Sequence, residues 1–437
     1  MAKEVEGRTL HPAAGEAGES GWQLSQSEIL ADPQQYIAGV PHHEFARLRE
    51  VSPVAWVSEK ARVLRNSTRS VMARGAGYWA VVGYSSVVAV SRQPEVFSSA
   101  YRGAFIADPK SRQDLERTRQ LLINMDAPEH TPIRKLAMRA FTPRALQQLH
   151  QGIRTHASNI VERILRQERF DVVQDLAAEL PLLVLADLLG MPREDRGLMF
   201  KWSNTIVGFD DPDFGGGSVE AYNRTFVEAF EYARKLAAQR RAEPRDDVVS
   251  FLVNTEVDGR HLTDSEFCHL WILLVIGGNE STRHLLSGSL QALAEWPEQR
   301  KLFVEGEASV PSAVEEFLRW VSPIMQFRRT AIRDTELDGE RIRAGDKVIL
   351  YYISANRDEK VFPNPSQLDL RRSPNPHLAF GIGPHFCLGA HLARLEAVSL
   401  FELLRPHLHK FELIGPVVRL KSNFMNGIKS MPARFIA

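Results

Sequence analysis

Apolar residues recur at helical spacing through most of the stretch from Pro143 to Trp320, with proline and glycine breaks near Gly190, Pro192, Asp211 to Gly217, Pro244 and Pro297. Two shorter runs carry another pattern. Tyr78-Trp-Ala-Val-Val82 and Val348-Ile-Leu-Tyr-Tyr-Ile353 are β-branched and aromatic and predict strands, the first ended by Gly83. Inside the helical stretch, Thr263-Asp-Ser-Glu266 is a capping box that starts a helix at about residue 264. Leu270, Leu274 and Gly278 then share a face at a spacing of four, with Ser281 and Thr282 following on that side. Gly277-Gly-Asn-Glu-Ser-Thr-Arg283 interrupts strong helix formers, each glycine costing up to about 1 kcal/mol relative to alanine. Helical spacing resumes at Leu285, Leu286, Leu290 and Leu293. This fits either two helices joined at a Gly-Asn cap or one long helix locally opened over a ligand. Ser312-x-x-Glu315 predicts a further helix start, and beyond it Glu316 and Arg319 meet at i, i+3 among Val314, Phe317, Leu318 and Trp320, the setting of a buried ion pair. The sum is a mainly α chain with a smaller β region.

Candidate chemistry gathers near the C-terminus, in Phe380-Gly-Ile-Gly-Pro-His-Phe-Cys-Leu-Gly-Ala-His-Leu-Ala-Arg394. Gly381 and Gly383 let the backbone turn tightly and approach a flat partner, and Pro384 stiffens the turn. Leu388 to Glu396 has helical spacing, so Cys387 lies at or just before a helix N-terminus, where free N–H groups and the helix dipole stabilise a thiolate. A thiolate held this way meets the requirement for axial ligation of a haem iron. Zinc ligation by His377, His385, Cys387 and His391 is a second reading of the same residues, at a spacing outside the common zinc patterns. A nucleotide loop fails because the third glycine is missing.

Composition narrows the class further. The 437 residues carry 54 Lys+Arg and 54 Asp+Glu, so no global basic field points to nucleic acid. Cys268 and Cys387 are the only two cysteines, which gives no disulfide framework and suits a reducing, cytoplasmic setting. Met1 to Gly21 lacks the apolar core of a signal peptide, and Leu270 to Ile276 is far short of the ~20 residues that span a bilayer. The expectation is a flexible tail over residues 1–24, a single domain over 25–437 and no membrane anchor. Asp210, Asp211 and Asp213 beside Gly215-Gly-Gly217 predict a mobile solvated loop, with a calcium site as the other reading.

The Phe380–Arg394 run resembles the haem-binding signature of the cytochrome P450 family, Phe-Gly-x-Gly-x-His-x-Cys-x-Gly, at Phe380, Gly381, Gly383, His385, Cys387 and Gly389. The resemblance extends from about residue 25 to the C-terminus. It implies the P450 fold, with a long central helix over haem b (iron protoporphyrin IX) and Cys387 as the axial iron ligand. Gly277, Gly278, Asn279, Glu280 and Ser281 resemble the family's oxygen-activation motif, Ala/Gly-Gly-x-Asp/Glu-Thr. By that resemblance Glu280 relays protons, the Ser281 hydroxyl orders a water with Thr282 in reserve, and Gly278 makes room for the cofactor. Serine in place of the usual threonine loses the methyl that restricts χ1, so poorer pre-organisation is expected. Glu316 and Arg319 resemble the structural Glu-x-x-Arg motif, and Arg357, in the segment Asn356 to Pro365, is expected to pack near that pair. His130, Arg134, Arg329 and His385 would face the haem propionates, with Arg328 replacing Arg329 if the register differs by one.

The resemblance further implies a monooxygenase that inserts one oxygen atom from O2 into a C–H bond of a hydrophobic small molecule, such as a sterol, terpenoid or fatty chain. Ile276, Gly277, Ile324, Met325 and Gln326 are expected at the substrate, Gln326 orienting one polar group. Electrons would come from a separate ferredoxin or flavodoxin with its NAD(P)H reductase. A peroxide-driven peroxygenase, or a haem protein that binds a ligand without turnover, are the rival readings; the Glu280–Ser281 pair and the double glycine argue against them.

Overall fold

A computed structural model describes residues 28–436 apart from 60, 61, 66–69, 74, 76, 110 and 142. The expected tail, 1–24, lies outside the described residues. Helix outweighs strand by 54% to 12%, the predicted balance. The helices that build the site are α1 (His130–Ala140), α2 (Pro143–Leu165), α3 (Glu179–Leu188), α4 (Arg196–Val207), α5 (Val219–Ala242), α6 (Asp264–Glu295), α7 (Val310–Val321) and α8 (Ala390–Leu404). One large apolar core joins them.

Of the two readings of the double-glycine segment, the unbroken one is correct: α6 runs through it for 32 residues. Its start is the capping box as read, with Thr263 accepting from the Glu266 N–H and Glu266 reaching back to the Thr263 N–H. The helix survives two glycines because it runs through the middle of the molecule, packed by α3, α4, α5 and α7, so tertiary burial outweighs propensity. At α7 the cap lies three residues earlier than expected. Ser309 accepts from the Ser312 N–H, Pro311 occupies the first turn where its missing donor costs nothing, and Ser312 sits inside the helix with its hydroxyl on Leu370 O.

A five-stranded sheet flanks the helices, formed by β1 (Val54–Val57), β2 (Tyr78–Val81), β3 (Phe97–Ser98), β4 (Gln326–Ala331) and β5 (Lys347–Tyr351) in the order β1-β2-β5-β4-β3. The predicted second strand ends at Tyr351, and Tyr352–Ala355 is a helical turn. In the β4–β5 register Gln326 faces Tyr351, Arg328 faces Ile349, Phe327 faces Leu350 and Arg329 faces Val348. Period-two alternation therefore puts Gln326, Arg328 and Thr330 on one face and Phe327, Arg329 and Ala331 on the other.

Two tertiary ties complete the frame. Glu316 is fully buried and accepts from Arg319 Nε and Nη2 at 2.8 and 2.7 Å, Arg372 Nε at 3.1 Å, Asn375 Nδ2 at 3.1 Å and the Asp369 N–H at 2.9 Å. Arg357 lies beside this brace with its guanidinium 4.0 Å from the Trp320 ring centroid; the second arginine on Glu316 is Arg372. The acidic loop is solvated only in part, with Asp213 exposed and Asp211 drawn inward. Asp211 is fully buried, accepts from the Lys421 N–H at 2.9 Å and from Lys429 Nζ at 3.1 Å, and Lys429 also meets Asp213. Lysine supplies the positive charge, so the loop is fastened to the C-terminal segment.

Candidate active site

Cys387 stands three residues before α8, at the end of a loop whose shape only glycine permits at one key point. Gly383 has φ +80°, and a Cβ there would fall 2.4 Å from the Ser91 carbonyl oxygen. The Cys387 N–H donates to Phe380 O at 2.9 Å, closing the loop on itself. Cys387 as a residue is half-buried. Burial pushes its pKa up, and the Gly389 N–H, Arg134 and Arg394 pull against that rise. Arg394, which sequence reasoning left without a role, stacks over the Phe380 ring at 4.5 Å and forks onto Glu315 at 2.6 and 2.9 Å. His377 meets the same carboxylate at 3.0 Å, which takes it away from Cys387 and from the zinc reading. Among the described residues no three His, Cys, Asp or Glu side chains converge as a metal cluster.

Beside the thiol loop the structure brings together all four side chains expected at an anionic group. The His130 and His385 rings lie 4.5 Å apart, Arg134 donates to Phe386 O, and Arg329 rather than Arg328 points to this side of the sheet. Arg328 goes to the other face and pairs with Asp108 at 2.7 Å. Burial, then Arg134, lower His130 to about 4, Asp126 opposing them; burial, then Arg329, His130 and Arg134, lower His385 to about 2. His130 Nε2 is buried and has no partner. Asp126, the nearby acid, is engaged by the Ser98 hydroxyl and the Ser99 and Ala100 N–H groups. Two arginines with an orphaned imidazole nitrogen make a pocket for an anionic group, so the residues present fit a haem with its propionates.

On α6, Gly277 is exposed midway along the helix between half-buried Ile276 and Gly278, and a Cβ there would meet nothing within 4 Å. Leu273, Leu274 and Ile276 on α6, and Ala379, Phe380 and Leu388 on the loop, pack on the same core and are only partly buried. Gly278 has no such opening beside it. Its Cβ position lies 2.8 Å from Leu185 Cδ2, so it is the close-packing point of α6 against α3 and makes no room for a cofactor. Ser281 stands one turn beyond Gly277, is half-buried and donates to Gly277 O at 2.7 Å. Thr282, one turn beyond Gly278, is buried on the packed side and cannot stand in for Ser281 at the opening. Glu280 also points away from the opening. It is buried against Arg283, with Asn279 Nδ2 at 3.3 Å and His284 Nε2 at 3.5 Å; burial opposes its charge, but Arg283 and His284 hold its pKa below the usual carboxylate value.

The substrate side needs correction in two places. Met325 is buried in the core beneath the sheet with Ile349 and Tyr351, and Gln326 lies on the face opposite Arg329, both amide atoms without partners. Ile324 is half-buried and bridges to Met425. The residue sharing the Arg329 face is Phe327. Its ring meets Phe424 at 5.5 Å and Phe105 at 6.1 Å, and these two meet each other at 5.4 Å. Three distant segments thus supply one apolar cluster, with Phe105 37% exposed. Counting by twos from Arg329 would have found Phe327.

Residues 214–432 match the family model described as Cytochrome P450. The steroid C26-monooxygenase of Rhodococcus jostii (strain RHA1) is 39% identical over 409 residues, covering 93% of this chain and 84% of that protein. The linalool 8-monooxygenase of Pseudomonas putida is 36% identical, with 92% of this chain and 97% of that one covered. A solved Mycobacterium marinum cytochrome P450 in complex with pseudoionone superposes with a TM-score of 0.83 at 38% identity, covering 91% of this chain and 96% of that chain. Agreement of sequence and backbone over nine-tenths of the length places this chain in the cytochrome P450 family, as a monooxygenase.

Proposed function

We propose that the protein binds iron protoporphyrin IX at the thiol loop, where the Cys387 thiolate would supply the protein's ligand to the iron. Its reaction is insertion of one oxygen atom from O2 into a C–H bond of a hydrophobic molecule of the steroid, terpenoid or branched-lipid kind. The observation that carries this reading is the half-buried Cys387 beside the cluster of His130, Arg134, Arg329 and His385, whose His130 Nε2 is buried with no partner. A bound haem supplies the oxygen chemistry, and the thiolate tunes the iron toward O–O cleavage. The chain supplies the rest. Arg134, Arg329 and the two histidines hold the propionates. Gly277 would leave room beside a bound haem, and the Ser281 hydroxyl next to it would order a water there. Glu280 feeds protons toward that water once its carboxylate turns from Arg283.

Phe105, Phe327 and Phe424 exclude water and hold an apolar substrate. The relatives acting on a steroid and on linalool favour that class. Electrons come from a separate ferredoxin or flavodoxin with its NAD(P)H reductase, and the exposed Phe386 beside Cys387 leaves the outer side of the loop accessible to such a partner.

The test is the absorption spectrum of the reduced, carbon monoxide-bound protein beside a Cys387→Ala control. A long-wavelength Soret band lost in the control is the expected result, followed by spin shifts with steroid, terpenoid and branched fatty-acid probes. A short-wavelength band in the parent protein would overturn thiolate ligation, and product formed with peroxide but not with electron donors would make the protein a peroxygenase.

A further inference from the structure

His284 is buried on α6 one turn beyond Glu280, and the chemistry above gives it no task. Its two ring nitrogens have different surroundings. Nδ1 lies 3.4 Å from the backbone nitrogen of Ile428, whose N–H can only donate, so Nδ1 is the unprotonated acceptor. The ring proton therefore sits on Nε2. That atom stands 3.5 Å from Glu280 Oε2, an electrostatic approach rather than a formed hydrogen bond, and has no hydrogen-bond partner, so the nearby carboxylate is the acceptor its proton faces. A second proton would set two N–H groups against each other at Ile428. Burial, and after it Arg283, work against that second proton, with Glu280 pulling the other way. Gly427 provides the seat for the ring: a Cβ there would fall 2.8 Å from Nε2 and 2.9 Å from Cε1.

We propose that His284 is a positioning residue for Glu280, a neutral ring locked by the Ile428 N–H that fixes the carboxylate without passing protons itself. This rests on the reading of Glu280 as the proton-delivering acid. A relay would need a proton source on its far nitrogen, and a backbone amide is none. Asn279, Arg283 and His284 instead approach the carboxylate from its own helix, two of them on Oε2, and the Ser203 hydroxyl approaches it from α4.

Glutamine at 284 keeps one acceptor and one donor but does not titrate, whereas leucine keeps neither. In the holoenzyme with electron donors and a substrate found by spin shift, His284→Gln should hold product per O2 consumed near the parent value. His284→Leu should lower it about tenfold, the factor attached to losing an N–H donor that faces a charged group, with the difference appearing as hydrogen peroxide. Gly427→Ala, which displaces the ring without deleting it, should behave as His284→Leu. Nitrogen-15 NMR of histidine-labelled protein, assigned by the signal lost in His284→Gln, should show a ring protonated on Nε2 alone and unchanged between about pH 6 and 8. A ring that titrates or carries its proton on Nδ1 overturns the proposal, as does a glutamine variant as poor as leucine. So does His284→Leu losing thermal stability with coupling intact. Glu280→Gln separates the two levels: normal coupling in that variant ends the reading of Glu280 itself, whereas uncoupling there but not in His284→Leu ends only the assignment of His284.

Discussion

Gly277 and Gly278 are adjacent in sequence, both helical, and oppositely surrounded, so alanine should act on them with opposite signs. In a helix interior either substitution gains about 1 kcal/mol from propensity. At Gly277 no protein atom opposes the gain, because none lies within 4 Å of the added carbon. At Gly278 the new methyl would sit 2.8, 3.2 and 3.4 Å from Leu185 Cδ2, Cδ1 and Cγ, and Leu185 is only 2% exposed. Overpacking of this kind costs about 1–3 kcal/mol, which leaves Gly278→Ala between neutral and about 2 kcal/mol destabilised. The propensity term cancels between the two variants, so their difference, about 1–3 kcal/mol, isolates the contact with Leu185. The assay is urea unfolding of the holoprotein followed by far-UV circular dichroism, with midpoints compared at equal slope. Leu185→Ala should cost less in the Gly278→Ala background than alone, because the methyl then fills part of the cavity. Equal shifts of the same sign in the two glycine variants would show that both meet the same surroundings, and the assignment of Gly277 as the opening would fall.

The remaining predictions concern the frame of the thiol loop. Glu316→Gln should destabilise by about 3–5 kcal/mol, since Arg319 and Arg372 would be left buried without their carboxylate; a loss below about 1 kcal/mol in the same urea assay would mean that solvent or another acceptor replaces it. Glu315 is held at about 2: burial opposes its charge, but hydrogen bonds from Arg394 and His377 outweigh it. Its folded pKa lies below its unfolded value, so its contribution is fully present above about pH 4.5 and is lost as pH falls toward 2. Glu315→Gln should therefore flatten the acid limb of a stability-versus-pH curve in that window, and an unchanged limb would refute the linkage.

What could be read in the sequence were features whose physics is local. The capping box at Thr263 and Glu266, the i, i+3 pair of Glu316 and Arg319, and the glycine-opened turn into Cys387 each span a few residues, and each is where spacing put it. The misses share one cause. Knowing that α6 is a helix does not say which of two neighbouring glycines meets Leu185, because that depends on a contact with a residue some ninety positions away in the chain. Gln326 is expected at the substrate from its place just after α7, yet strand alternation puts it on the face opposite Arg329, where a parity count gives Phe327 instead. Arg372 and Lys429 were invisible as partners because an exposed-looking charge becomes a tie only when folding delivers a buried acid to it, 56 residues away for Glu316 and 218 for Asp211.

The C-terminal segment shows why those distant ties matter to chemistry. Between Leu420 and Ser430 the chain contributes Phe424 to the aromatic cluster, gives its Gly427–Ile428 backbone to the His284 ring, and sends Lys429 to Asp211 in the loop between α4 and α5. Phe424 therefore belongs to a segment whose other contacts reach Glu280, through His284, and the acidic loop between α4 and α5, through Asp211. A side chain that merely filled the pocket wall would need none of this bracing. The buried pairing at Asp211 is costly to break, and with the Lys421 N–H and Lys429 both on that carboxylate the segment that carries Phe424 is tied on both sides of the ring.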